Sequence, residues 1–336
     1  MASPDIRVTA YAAPRIDAAI EASSRNVDRL CHVVDNGFVP VTGSRSFPYP
    51  NTQNADSGRL WLDQHRLISL NSMTSGGVTV PVPGNVFLEP VNSGPPYTYI
   101  EINRATSSAL AAGSGTGQRA LVLTGVWGNR ADEAAAGTIT TSPNTSVTTI
   151  SVDFAAEVGD LLRVDTERMQ VIEKAWASSA QTGSLTAALN DQSLTVANGA
   201  LFVAGEELLL DAERVKIRDI AGNNLIVQRA WSGSLLAAHT AVTVFWARSL
   251  TVTRGAFGTT AAAHSSGATV ARHLVPGPVE ELSRAYALDT FYQQGAGYAR
   301  AVGTQDAQRQ ATGRAIADLE QRVYGNYGRM ARARAV

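Results

Sequence analysis

Two acid pairs, Asp165 with Glu167 and Asp211 with Glu213, stand 46 residues apart in equivalent sequence settings. Carboxylates two residues apart could hold a hard cation or pass a proton. An arginine follows each pair directly, Arg168 and Arg214, so the sequence favours a solvated, self-neutralised strand edge over a cation site. The histidines His32, His65, His239, His264 and His273 form no HExxH or other ligand spacing. His239 and His264 fall at one repeat position, which points to a shared turn-stabilising or packing role. The single cysteine, Cys31, precedes His32. Adjacent helical residues point to different faces, so a core position is expected rather than a nucleophile with its base. One cysteine also excludes an intramolecular disulfide framework, CxxC redox chemistry and multi-cysteine zinc sites.

Phosphate chemistry finds no support either. Neither Lys174 nor Lys216 follows the glycine pattern of a P-loop, and the Gly113-Ser-Gly-Thr-Gly117 run precedes a strand, so it reads as a loop. Asn144-Thr-Ser146 fits the glycosylation sequon with nothing else to suggest secretion. The expectation is a chain that is not an enzyme and has no catalytic residue, cofactor or metal.

The elements that must position these residues come from a chain of 336 residues, 44% hydrophobic and 17% charged, with formal net charge -1. That composition is globular, long enough for two or three domains, and offers no overall basic field for nucleic acid. No leader-like apolar segment opens the sequence and no run of eighteen apolar residues occurs, so no membrane association is expected.

Residues 14–35 read as a helix with Ile16, Ile20, Ser23, Val27, Leu30 and Val34 along one stripe. Short strands are expected over 59–63, 67–70, 78–82, 86–88 and 97–102, and a buried strand over 119–127. The chain turns helical again at Val279, where Leu282, Tyr286, Phe291 and Tyr292 make an apolar face, and a last helix starts at Thr304 with Ile316, Leu319 and Val323. Between these parts the sequence repeats itself. Residues 160–171 recur as 206–217, and the pattern L-x-V-x-R-x3-G-x5-H appears at 225–239 and again at 250–264. The first front half lacks its back half and the last back half lacks its front, which predicts one small β-unit interrupting another.

The segments IDAAIEASSRNVDRLC (16–31), RLWLDQHRLISLNSM (59–73), FLEPVNSGPPYTYIEI (87–102) and QRALVLTGVWG (118–128) resemble a tailed-bacteriophage head-to-tail connector, the adaptor or head-completion family. The middle of the chain resembles the small β-barrel-like modules related to the FCCH domain of ubiquitin-activating enzymes, carried most clearly by 250–264. The resemblance implies an α+β fold: a helical connector core with short strands from 1–134 and 273–336, interrupted by nested all-β modules. The outer module is expected over 138–190 with 247–272, the inner over 191–246.

It further implies a structural virion protein at the neck, assembled in the host cytoplasm as a homo-oligomeric ring of about twelve copies. Its partners would be the portal protein and the stopper or tail-completion protein, with viral DNA passing through the lumen without sequence-specific binding. The inserted modules could touch capsid protein. Ring-packing helices would use Ile16, Ile20, Val27, Leu30, Leu282, Tyr286, Phe291 and Tyr292. Portal docking would use Tyr324, Tyr327, Arg329, Arg332 and Arg334, a Tyr–Arg mixture typical of interfaces. The alternative is a virion-surface protein that binds carbohydrate or receptor through the modules, where Trp176, Trp231 and Trp246 lie.

Overall fold

The computed structural model describes residues 13–33, 37–49, 58–113, 117–295 and 304–328. Strand accounts for 41% of the chain and helix for 21%, with three α-helices among the described residues. The expected helical connector core is therefore wrong: large antiparallel sheets dominate. The chain divides into two compact units, one over 133–273 and the other formed by 11–132 with 274–336.

The second unit begins with α1 (Ala13–Leu30) and continues through seven strands: β1 (Val41–Phe47), β2 (Arg59–Trp61), β3 (Leu67–Ser75), β4 (Val78–Val80), β5 (Val86–Glu89), β6 (Tyr99–Ile102) and β7 (Leu121–Trp127). They form one sheet in the order β1-β7-β3-β4 and a second in the order β2-β6-β5. Period-two alternation turns Leu121, Leu123 and Trp127 of β7 inward, where they share one core with Leu60, Met73, Val86, Ile100 and Ile102. This is why the helical expectation fails. Strands too short to suggest a core individually assemble one together, and the helices add only a smaller cluster.

That cluster joins α1 to α2 (Gly277–Gly295) and α3 (Thr304–Tyr327), with Val27, Cys31, Phe38, Val279, Leu282 and Val323 buried at its centre. The buried stripe of α1 is Ala19, Ser23 and Val27, about one residue per turn, continued by Cys31 just past its end, and Ile20 is left 50% exposed. The expected stripe is met at Ser23 and Val27, while Ala19 is buried in place of Ile20. Ala19 and Ser23 are small, which suits close approach of a neighbouring helix, and hydropathy alone gives Ala19 little weight beside Ile20. Leu282 is fully buried, so Leu282→Ala should cost about 2–5 kcal/mol in urea unfolding, the range for an emptied core site.

The unit over 133–273 holds β8 (Glu133–Thr138), β9 (Thr149–Ser151), β10 (Leu161–Val164), β11 (Glu167–Leu185), β12 (Ser193–Thr195), β13 (Glu207–Leu210), β14 (Glu213–Ala221), β15 (Asn224–Gln228), β16 (His239–Thr253) and β17 (Thr269–His273). All ten belong to one sheet. Two separate cores lie along it. One gathers Ile139, Ile150, Leu162, Met169, Leu250 and Val270; the other gathers Leu194, Phe202, Leu208, Ile217, Leu225 and Val244.

Each core is wrapped by the same six-strand pattern. In the outer one, β9 pairs the far part of β16, which pairs the near part of β11; then follow β10, β17 and β8. In the inner one the order is β12, β15, β14, β13, near β16 and far β11. The outer wrap is closed by an Ile139–Val152 bridge. The 19-residue β11 and 15-residue β16 serve both wraps, breaking register between Ala175 and Ala177 and between Ser178 and Gln181. The inner unit's β14–β15 turn, over 221–224, takes the place where the outer unit's chain departs for the inner one. An insertion at a hairpin tip leaves the host's own strand pairing intact.

Candidate functional site

The repeated acids carry the most concentrated chemistry in the described chain, and the structure overturns the solvated-edge reading. Glu167 and Glu213 have side chains 0% exposed, while Asp165 and Asp211 are 74% and 63% exposed. Their cations are not the adjacent arginines. Glu213 accepts from Arg229 Nε and Nη2, each at 2.9 Å. Glu167 accepts from Arg254 Nε at 2.8 Å and Nη2 at 2.9 Å. Both are bidentate forks of the strongest hydrogen-bonding geometry.

The two surroundings match group for group. Backbone N–H groups of Ala230 and Ala237 reach Glu213 at 2.9 and 3.0 Å, and those of Gly255 and Ala262 reach Glu167, both at 2.9 Å. Arg229 spends its remaining donors on the carbonyls of Thr186, Asp191 and Ala237; Arg254 does so on Asn144, Val147 and Ala262. All five guanidinium N–H donors are occupied in each copy. His239 bridges Asp211 and Glu213 with Nδ1 and Nε2, both at 3.0 Å, and His264 bridges Asp165 and Glu167 at 3.2 and 2.8 Å.

Burial by itself would raise these carboxyls. Hydrogen bonds from arginine, two backbone amides and histidine outweigh it and hold Glu167 and Glu213 down at about 2, against an ordinary 4.5. A carboxylate so fully engaged has no lone pair to offer a substrate or cation. The clusters are therefore internal fastenings: each ties a strand, a tight turn and a distant loop together. The described residues hold no group of three or more His, Cys, Asp or Glu arranged to take a metal ion.

A second pair repeats as well, with a changed outcome. Asp160 and Glu206 share a repeat position; Asp160 pairs Arg272 at 3.1 Å and Glu206 pairs Arg248 at 2.7 Å. Arg272 donates to the Ala155 carbonyl and Arg248 to the equivalent Leu201 carbonyl. Arg248 also donates to the Asp153 carbonyl, which belongs to the outer wrap. A buried arginine thereby links the inner unit to the outer, beside the Trp246 ring, whose centroid is 4.1 Å away.

The helical residues singled out from sequence divide. Val27, Leu282 and Phe291 are buried, with Leu30 and Tyr286 packed beside the helical cluster and Ile16 half-buried. Tyr286 donates to Glu320 Oε1 at 2.7 Å, and burial and then that carboxylate push its phenol up. Tyr327 packs edge to face on Phe38 at 5.8 Å, whereas Tyr324 is 44% exposed. The Tyr292 side chain, Val34, Arg329, Arg332 and Arg334 lie outside the described residues.

Sequence reasoning missed Arg66. It donates to the Tyr327 and Gly328 carbonyls at the end of α3 and, at 3.1 Å, to Asn129 Oδ1. A guanidinium on the last carbonyls of a helix satisfies groups left without intrahelical partners and complements the helix dipole. Gly328 completes this end: its N–H donates to the Tyr324 carbonyl at 2.7 Å, and a Cβ there would lie 2.4 Å from that oxygen. Arg66 also lies near Cys31, where burial pushes the thiol up to about 11 despite that positive charge.

No family model, curated protein or solved structure matches this chain. No helix among the described residues is long and apolar enough to cross a membrane.

Proposed function

We propose that the chain is a structural protein of the tailed-phage neck, forming a ring between portal and tail that extends the DNA channel and completes the head. The observation that supports this best is how the insertion is attached. Its first and last strands pair with each other, Glu133 opposite His273, and the flanking Leu274 N–H donates to the Asp132 carbonyl at 2.8 Å. The 133–273 unit thus leaves and rejoins its host at one point, while helices from both sides of it meet in one cluster. A host unit built from both sides of the insertion suits an assembly subunit that carries an appendage.

Ring contacts fall to what the protomer leaves uncovered. Ile20, Leu288 and Tyr324 are exposed on the three helices, and Val27 and Leu282 are not available. Arg66 clamps the end of α3, and the sequence that follows it, 329–336, carries three arginines. Removing residues 329–336 should weaken co-sedimentation with purified portal assemblies and leave the melting transition of the free protein unchanged. Undiminished co-sedimentation would remove the docking role of this segment, and absence of any portal association by the full chain would count against the neck assignment.

A further inference from the structure

The interiors of the two β-units agree closely, but their outward faces do not. On β14, Arg214, Lys216 and Arg218 stand where the outer unit has Arg168, Gln170 and Ile172, and Trp231 stands where it has Ala256. Arg214 and Arg218 are exposed and Lys216 half-buried. Lys216 Nζ lies 4.5 Å from the Trp231 ring centroid and Arg218 Cζ 5.9 Å from it, and Arg214 Cζ lies 5.8 Å from the Trp176 ring. Half-buried Phe245 is in the same row, because Leu209 is opposite both Arg214 and Phe245. Two acids lie on this face: Glu207, which accepts the Trp231 Nε1–H at 2.6 Å, and exposed Asp219 beyond Arg218. Since the same fold and the same buried clusters stand in the outer unit with Gln170, Ile172 and Ala256, folding does not require Lys216, Arg218 or Trp231.

We propose that this face of the inner unit binds single-stranded nucleic acid without sequence preference, its phosphates along the β14 cations and its bases against Trp176, Trp231 and Phe245. Alternate residues of a strand project to one side about 7 Å apart. The ladder breaks register between Ile217 and Asp219, so this spacing holds for Arg214 and Lys216, and an unpaired strand, which has no fixed rise, can follow the row of cations on to Arg218. Aromatic side chains on a sheet face stack unpaired bases, and a neighbouring cation adds to the attraction. A neutral glycan would leave three cations unmatched, and a duplex would keep its bases out of reach of the rings. The proposal does not depend on the neck assignment.

The test is fluorescence anisotropy of the full chain with a fluorescein-labelled, twelve-nucleotide oligothymidylate at low salt. Saturable binding is expected. The R214A/K216A/R218A variant should bind at least tenfold more weakly and reduce the log–log salt slope by about 2, at about 0.7 per cation for single strands. W231A should weaken binding several-fold with the slope unchanged, and circular dichroism checks the fold of each variant. Should the triple variant fail to fold, the single exposed substitution R218E should still weaken binding at least threefold. Absence of binding, equal affinity in the charge variants, or W231A binding like the parent while a duplex of equal length binds as well, would each overturn the proposal.

Discussion

Glu213→Ala should destabilise the inner β-unit by about 3–5 kcal/mol, the cost of leaving one partner of a buried ion pair uncompensated. The substitution strands Arg229, whose side chain is 0% exposed, and removes the acceptor for the Ala230 and Ala237 amides and for His239. Because the inner unit has its own core, the loss should be local. Hydrogen exchange should accelerate across 178–246 and stay slow across the outer core. Glu167→Ala should give the mirror result, acting first on 139–171 and 250–270, where its partner Arg254 and the outer core lie. Replacing both Glu213 and Arg229 with apolar residues of similar volume should cost far less, since no charge is then left buried.

The same carboxylates set the acid limit of the fold. Each is held at about 2 in the folded chain against an ordinary 4.5, so the folded state binds fewer protons than the unfolded one between those values. Their contribution, about 3 kcal/mol apiece by linkage, is complete above pH 4.5 and is lost as pH falls towards 2. Urea midpoints measured from pH 7 to 2 should therefore decline steeply below 4.5. In the E167Q/E213Q variant that decline should flatten, from a lower starting stability; an unchanged acid limb would show that other groups govern it.

The repeats were legible in the sequence, and with them the equivalence of His239 and His264. The partners of Glu167 and Glu213 were not, although the signal was present: Arg229 and Arg254 each precede the repeated histidine by ten residues. Adjacency misled the reading. Neighbours on a strand point to opposite faces, so Arg168 and Arg214 cannot fork onto the glutamates beside them. The helices at 13–30, 277–295 and 304–327 were readable from period and caps, and the buried face of α1 was readable at Ser23 and Val27 but not at Ala19, which carries little hydrophobic signal against its neighbour Ile20. The α+β expectation failed for a related reason. The two sheets of the host unit join strands as distant as β1 and β7, and nothing local in residues 41–47 or 121–127 reports that pairing.

These findings give the neck proposal a definite form: a mainly β protomer in which both sides of the insertion build the host unit and the inserted segment folds as two nested β-units. Electron microscopy of the purified chain mixed with portal assemblies examines that proposal most directly. The account predicts a ring of this protein capping one end of the portal. A chain that stays unassembled and leaves the portal bare would contradict it.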